Sequence, residues 1–144
     1  MAVFEYNLAR KTYTIRRRVQ EAGSYRDKLL AFASGFADVD PTNSTAGGCP
    51  LLNTGIEADD TNADLRKKVA AGLLNWKNEM VRIIRGGMAA HEFRGDTDPD
   101  HIAVSMIALM EGSVFIYGVM KDPAYSGIIA QTIRNLVGSI ENRE

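Results

Sequence analysis

The stretch from Ile102 to Met120 constrains the fold more than any other part of the sequence. Its residues are apolar or small at nearly every position, and Glu111 is its single charge. It is barely long enough to span a bilayer, which needs ~20 apolar residues, and a central acidic side chain costs roughly 2.5–3.5 kcal/mol in lipid. A helix that is apolar on all sides must be covered on all sides. We therefore expect a helix of a soluble protein that packs against its own core and against a second copy of the chain.

The composition indicates one globular domain covering residues 1–144. Hydrophobic residues make up 45% of the sequence and charged residues 24%, which is typical of a chain with a sizeable core. The formal net charge of −1 gives no electrostatic reason for this domain to bind nucleic acid by itself. The single cysteine, Cys49, excludes an internal disulfide, and the first residues do not resemble a signal peptide. We expect a cytoplasmic protein without a membrane segment.

Hydrophobic periodicity predicts six helices and no convincing strand. The first helix covers residues 2–22, and the second begins after Ser24 and ends near Val39. The polar segment at residues 40–48 has no periodicity and is predicted to be a loop. Pro50 fits the first position of a short third helix, which we expect to be mostly buried.

The second half of the chain contains the longest helix and two helices with matching starts. A capping sequence at Thr61 predicts a helix that reaches about Glu92, with a kink or an early end at Gly86–Gly87. Asp98–Pro99 and Asp122–Pro123 each combine an N-capping side chain with a proline in the first turn. These two pairs predict the starts of the fifth and sixth helices.

The sequence contains no convincing metal site. The aspartates at alternate positions of residues 96–100 imitate the start of an EF-hand loop, but a proline interrupts them and the twelfth position is not glutamate. We interpret them as helix-capping residues. His91 and His101 have no second histidine or cysteine at ligand spacing. We therefore predict neither a metal nor a cofactor.

Two single residues have chemistry that the sequence leaves open. Cys49 precedes a helix, where a thiol pKa can be lowered, but no histidine is near it in sequence, so a packed or pocket-facing thiol is the simpler interpretation. Glu111 either emerges at a groove and pairs with a basic residue or serves as an interface anchor or pocket carboxylate. Burial would perturb its pKa in each case.

Four blocks in the sequence carry a resemblance to a known family. The polar loop ends in Gly-Gly-Cys-Pro-Leu-Leu-Asn at residues 47–53, and an acidic break leads into Ala-Asp-Leu-Arg at residues 63–66. The central helix carries Met-Glu-Gly at residues 110–112, and the last helix begins after Asp122–Pro123. In order and spacing these blocks resemble the C-terminal regulatory domain of TetR-family transcriptional repressors, over nearly all 144 residues.

The resemblance implies an all-α regulatory domain of six helices whose last two helices form a four-helix bundle in a homodimer. The other helices would enclose a pocket for a small, largely apolar effector. Effector binding would shift two N-terminal helix-turn-helix domains and release operator DNA, which is a population shift between two states. We recognise no helix-turn-helix in these residues, so operator DNA is expected as a partner only through a missing N-terminal domain.

Aromatic and methionine side chains on the helical stripes suggest where the effector would bind. Methionine fills irregular gaps, and apolar pockets commonly lie between helices of a bundle. The candidate pocket residues are Phe32, Phe36, Cys49, Leu52, Asn53, Ile56, Trp76, Met80, Ile83, Met106 and Met110.

A helical wheel of the central helix separates a small arc from a bulky arc. At 100° per residue Ser105, Ala108 and Gly112 fall within one arc of ~60°, where another helix can approach closely. Bulky residues such as Met106 and Met110 fan over the neighbouring arc. One arc should meet the partner and the other the core, and the sequence does not decide which. The candidate dimer-interface residues are Ser105, Ala108, Gly112, Phe115, Tyr117, Ile128, Gln131, Ile133, Asn135 and Leu136.

Two other functions compete with a regulatory domain, although we predict that the protein is not an enzyme. A small helical enzyme would need Cys49, Glu57, Glu111 or a histidine to converge in a pocket. A protein-interaction domain without a ligand would show solid packing between its helices.

Overall fold

Six α-helices make up the computed structural model, which describes residues 1–37, 49–58 and 60–143. The helices are α1 (Ala2–Glu21), α2 (Tyr25–Ala37), α3 (Pro50–Ala58), α4 (Ala63–Ala89), α5 (Pro99–Met120) and α6 (Pro123–Ile140). The described ranges contain no β-strand, only an isolated bridge between Phe93 and Glu141. The predicted all-α fold of six helices is confirmed. The predicted loop at residues 40–48 lies outside the described residues.

Three helix starts use the side chains that the sequence predicts. Ser24 Oγ accepts a hydrogen bond from the backbone N–H of Asp27 at 3.0 Å. Asp98 and Asp122 accept hydrogen bonds from N–H groups in the first turns of α5 and α6, and a proline follows each of them. These contacts satisfy donors that have no partner inside the helix.

The start of α4 differs from the prediction by one residue. The cap is Asn62, whose side chain accepts a hydrogen bond from the Leu65 N–H at 3.0 Å. Thr61 instead donates its hydroxyl hydrogen to the Glu57 carbonyl at 2.9 Å. Both residues are of capping type, so their types alone do not reveal which one the backbone selects.

Gly86 and Gly87 lie inside α4, which continues through them and ends at Ala89, short of the predicted end near Glu92. A Cβ at Gly86 would lie 2.5 Å from the ring of Tyr25. A Cβ at Gly87 would lie 2.2 Å from the ring of Phe93. The glycines therefore let two aromatic rings pack directly against the helix backbone.

A junction around Glu92 joins three distant parts of the chain. The Glu92 carboxylate accepts hydrogen bonds from the backbone N–H groups of Tyr25 at 3.1 Å and Arg26 at 2.8 Å, which caps α2. Arg26 Nε lies 2.7 Å from the carboxylate of Glu141, just beyond α6. The backbone around Glu92 also pairs with that around Glu141. We call these contacts the Glu92 junction.

The hydrophobic core is built around α2, which contacts α1, α4, α5 and α6. Leu29 and Phe32 of α2 are buried together with Trp76 and Met80 of α4 and Met106 of α5. The apolar stripes that predict these helices therefore face one common interior.

The short helix α3 is less buried than its sequence predicts. Leu51 and Ala58 are buried, whereas Ile56 is 64% exposed and Asn53 is exposed as well. Leu51 and Ala58 are seven residues apart and share one face, while Ile56 lies on the opposite side of so short a helix. The expectation of a mostly buried helix was therefore wrong for Asn53 and Ile56.

The two arcs of α5 face different surroundings. Met106 and Met110 of the bulky arc are buried against the core. In the small arc Ala108 is exposed, and a Cβ added at Gly112 would meet nothing within 4 Å. By length and composition α5 could cross a membrane, and 22% of its most apolar window is buried. An outward-facing apolar arc explains this low value.

Candidate effector site and outer helix face

A cleft of about 230 Å³ lies between α2, α5 and α6, and we call it the main cleft. Its apolar wall consists of Leu30, Ala33, Met110, Val114, Ala130 and Ile133. Its polar lining residues are Ser34, Ser113, Ser126 and Arg134. A mostly apolar concave site with a few polar groups is the usual form of a small-molecule pocket.

Arg134 is the one charged side chain among the described residues that line the main cleft. Its Nε and Nη2 atoms donate to Oε1 of Gln131 at 3.2 and 2.8 Å. On the opposite wall the Ser34 hydroxyl donates to the Ala31 carbonyl at 3.0 Å, and Arg18 donates to the Ser34 carbonyl at 3.1 Å. The polar groups of the cleft are thus held by neighbours on their own or adjacent helices.

A second cleft of about 260 Å³ runs between α1 and α4. Its floor includes Trp76, whose indole N–H lies 3.4 Å from the hydroxyl of Thr12. At its edge the carboxylate of Glu79 lies 2.6 Å from Arg82 and 4.0 Å from Arg16. Charges of both signs are therefore already paired there, which makes this cleft a weaker candidate for a charged or apolar ligand.

A polar cluster lies where α1, α3 and α5 meet. Cys49 donates its thiol hydrogen to Oε1 of Glu111, with 3.0 Å between the heavy atoms. Burial, followed by the Glu111 charge, raises the pKa of the Cys49 thiol to about 12. Burial also raises the pKa of Glu111, although the thiol hydrogen bond and the Lys11 charge oppose this rise. Oε2 of Glu111 is buried and accepts no hydrogen bond within the described part of the chain.

These pKa shifts decide whether Cys49 could act as a nucleophile, a question that the sequence leaves open. A thiol with a pKa of about 12 is protonated near neutral pH, so Cys49 is not the thiolate that nucleophilic catalysis requires. Burial lowers the pKa of Lys11, while the charges of Cys49 and Glu111 raise it in part. The hydrogen-bond partner of Glu111 is the Cys49 thiol, and the Lys11 charge acts on its carboxyl group from α1. Among residues 1–37, 49–58 and 60–143, no cluster of side chains could hold a metal ion.

The predicted pocket residues divide among several environments. The buried ones are Phe32, Cys49, Trp76, Met80, Ile83, Met106 and Met110, and Leu52 is half-buried. Met110 lines the main cleft, whereas Phe32, Trp76 and Ile83 line the cleft between α1 and α4. Asn53 and Ile56 are exposed, and the side chain of Phe36 lies outside the described residues.

Most residues that line the main cleft are not among the predicted pocket residues. Leu30, Ala33, Ser113 and Ala130 are small or ordinary apolar positions without chemical signature. The indication in the sequence was the placement of small residues beside bulky ones along α2 and α6. How these helices pack in three dimensions decides where a cleft remains.

The predicted interface residues lie mostly on the outer surface of α5 and α6. The exposed ones are Ala108, Phe115, Ile128, Gln131 and Asn135, and the partly exposed ones are Ser105, Gly112, Tyr117 and Leu136. Ile133 is only 6% exposed and lines the main cleft, so it belongs to the interior of its own chain. Its position in the apolar stripe of α6 is compatible with an interface residue or a core residue. Because α2 packs against α6, Ile133 is a core residue.

We call the surface that carries the exposed apolar side chains Phe115, Val119 and Ile128 the outer α5–α6 face. These side chains are 56%, 66% and 64% exposed. A Cβ added at Gly112, Gly118 or Gly127 of the same two helices would meet no atom within 4 Å. The outer surface of α5 and α6 is therefore apolar at these side chains and open at these glycines.

Comparisons with known proteins agree on one family. The family model described as the tetracyclin repressor-like C-terminal domain matches residues 26–133. No curated protein matches the chain. A solved TetR-family transcriptional regulator from Cytophaga hutchinsonii is 43% identical with a TM-score of 0.94, and the match covers 99% of this chain and 72% of that one.

Two further solved structures support the same assignment. A TetR transcriptional regulator from Chloroflexus aurantiacus J-10-FL is 27% identical with a TM-score of 0.91, over 97% of this chain and 71% of that one. A third structure, from Rhodococcus sp., is 22% identical with a TM-score of 0.74 and shows the fold alone. The chain therefore belongs to the TetR family of transcriptional regulators, and it carries the C-terminal domain of that family.

Proposed function

We propose that this chain is the effector-sensing and dimerisation domain of a cytoplasmic TetR-family repressor. The observation that carries the proposal is the main cleft, which is apolar and lies beside the outer α5–α6 face. A small, largely apolar effector would bind in this cleft, because burial of its surface contributes about 25 cal/mol per Å². α5 would then have the effector on one side and a partner subunit on the other.

The outer α5–α6 face supports the dimer in this proposal. Large exposed apolar patches on soluble proteins mark interaction sites, and a closed two-fold dimer is the commonest soluble oligomer. The open glycines allow the backbones of two helices to approach one another. The last two helices of each subunit would then form a four-helix bundle across the two-fold axis.

The effector signal would leave this domain through α1. In the proposed regulator a helix-turn-helix domain precedes α1 and binds operator DNA. Met110 lines the main cleft, and its neighbour Glu111 contacts Cys49 and acts on Lys11 of α1. A shift of α5 would therefore reach α1 through this polar cluster. An effector in the main cleft would favour the state that binds DNA more weakly. The size of this shift is set by how much more tightly that state binds the effector than the other state does.

A thermal-shift screen with neutral lipophilic compounds tests the effector site. We expect at least one compound to raise the melting temperature of the wild-type chain, since a ligand that binds the folded state stabilises it. Ala130→Leu places a larger side chain in the main cleft and should abolish this effect. Ala71→Leu is the matched control, because Ala71 is exposed on α4 and lines neither cleft.

The screen also distinguishes an effector-binding domain from the alternative functions. If no compound stabilises the wild type, or if Ala130→Leu leaves the stabilisation intact, the main cleft is not the effector site. A domain that only binds other proteins would not be stabilised by any of the compounds. An enzyme is disfavoured because TetR proteins are transcriptional regulators and the Cys49 thiol stays protonated.

A further inference from the structure

We infer that the effector of the main cleft carries a carboxylate, which pairs with Arg134 while its apolar body lies against Met110 and Ile133. This inference rests on the proposed effector site and narrows the ligand to a small amphipathic monocarboxylate. Its basis is the environment of Arg134, whose guanidinium stands at an apolar cleft with a neutral partner only.

In this respect Arg134 differs from the ion-paired arginines of the chain. Several arginines lie within 4.0 Å of a carboxylate oxygen, namely Arg16, Arg17, Arg26, Arg82 and Arg94. For Arg134 the described residues provide no such carboxylate, and the carbonyl oxygen of Gln131 is its hydrogen-bond acceptor. An anionic ligand would therefore gain a charge-assisted hydrogen bond without displacing an existing ion pair.

The guanidinium is also held in position. Gln131 occupies the Nε and Nη2 atoms of Arg134, and its own amide nitrogen donates to Oδ1 of Asn135 at 2.9 Å. Nη1 of Arg134 takes part in no hydrogen bond within the described ranges and remains available. With Nε and one Nη2 hydrogen donated to Gln131, the Nη1 hydrogens and the second Nη2 hydrogen still form a fork that matches the two oxygens of a carboxylate. Because Gln131 already orients this fork, less side-chain entropy is lost when a ligand binds.

The rest of the lining limits the ligand to one negative charge. Apart from Arg134 the lining side chains are serine hydroxyls or apolar groups, so a dianion such as a phosphate monoester would have a single cation to face. A cationic ligand would be repelled by Arg134. The volume of about 230 Å³ suits a short acyl chain or one or two rings.

Binding of three eight-carbon probes tests the inference on the wild-type chain. Octanoate, 1-octanol and octylammonium contain the same number of carbons and carry an anionic, a neutral and a cationic head group, and their dissociation constants can be compared by NMR titration. We expect octanoate to bind about tenfold more tightly than 1-octanol, and octylammonium to bind more weakly than either. Equal affinities of octanoate and 1-octanol would overturn the inference.

Arg134→Gln should reduce octanoate affinity to the level of 1-octanol and leave 1-octanol unchanged. Arg134→Lys should keep part of the preference, since it keeps the charge but loses the fork. Arg85→Gln is the control, because Arg85 is exposed on α4 and lines neither cleft. A preference for octanoate that survives in folded Arg134→Gln, verified by circular dichroism, would also overturn the inference.

The outcomes distinguish this inference from the proposed function. If neutral compounds bind in an Ala130→Leu-sensitive manner but octanoate shows no advantage, the carboxylate is wrong and the effector site stands. If no lipophilic compound of any charge binds, both are wrong.

Discussion

The thiol of Cys49 donates a hydrogen bond of 3.0 Å to the carboxyl group of Glu111. This contact joins the start of α3 to the middle of α5, and Lys11 brings in α1. A buried carboxyl group with one unsatisfied oxygen is costly to keep ionised. The Glu111 carboxyl group should therefore make the stability of the domain depend on pH.

We expect Glu111→Gln to gain stability relative to the wild type as the pH rises from about 4 to about 8. Because burial raises the pKa of Glu111, the folded chain holds this proton more tightly than the unfolded chain does. The stabilisation by the proton is complete below the ordinary value of 4.5 and is lost as the pH rises through the raised pKa. Urea unfolding at a series of pH values measures the difference.

Glu57→Gln is the control for this experiment, since Glu57 is exposed at the end of α3. It makes the same chemical change on an exposed side chain and so measures the effect of the substitution itself. A Glu111→Gln difference that is flat across the same pH range would show that the carboxyl group titrates normally in the folded protein.

Glu92→Ala should lower the free energy of unfolding by about 1–2 kcal/mol. The variant removes the acceptor for two backbone N–H groups at the start of α2, although the Ser24 cap remains. Urea denaturation of the purified chain provides the measurement. Glu21→Ala, which removes an exposed ion pair with Arg17, should cost less than about 0.5 kcal/mol. Equal losses in the two variants would argue against the cap.

Gly87→Ala should destabilise the fold by about 1–3 kcal/mol, although alanine favours helices. The new Cβ would lie 2.2 Å from the ring of Phe93, which is fully buried and has little room to move. Gly138→Ala is the matched control, because its Cβ would meet nothing within 4 Å. Thermal unfolding should show opposite or unequal shifts for the two variants, and a neutral Gly87→Ala would contradict the packing described for Phe93.

Phe115→Asp should weaken the proposed dimer by about 2 kcal/mol or more, because it replaces a large exposed apolar side chain of the outer α5–α6 face with a charge. Gly112→Leu should also disturb assembly, since its arc points away from the core. Sedimentation velocity across a dilution series measures the effect. Leu74→Asp changes a residue of similar exposure on α4 and should leave assembly unchanged. A wild type that sediments as a monomer at micromolar concentration would refute the dimer.

Local sequence signals were sufficient to predict the helices. Asp98 and Asp122 accept hydrogen bonds from N–H groups two or three residues further along the chain. Because these contacts are local, the Asp–Pro pairs are sufficient to predict where α5 and α6 begin. The apolar stripes predicted which helices share a core. The Thr61 prediction failed because two capping residues stand side by side and the choice between them depends on the backbone.

Features that join distant residues were not predictable in this way. The cap of α2 by Glu92 spans 66 residues in sequence, and nothing local to either partner indicates it. The pairing of Gly87 with the Phe93 ring explains a glycine that looked like a helix breaker. The main cleft depends on how α2, α5 and α6 pack, so only Met110 of its lining belonged to the predicted pocket.

The Glu92 junction has a topological consequence. Because Arg26 contacts both Glu92 and Glu141, the chain from α2 to α6 closes into a ring whose two ends are held together. Helix α1 precedes that ring and packs on its outside against α2 and α3. The described lining residues of the main cleft belong to α2, α5 and α6, all within this ring. A change in the cleft can therefore reach α1 only through the helices of the ring that contact it or share the Cys49–Glu111 cluster with it.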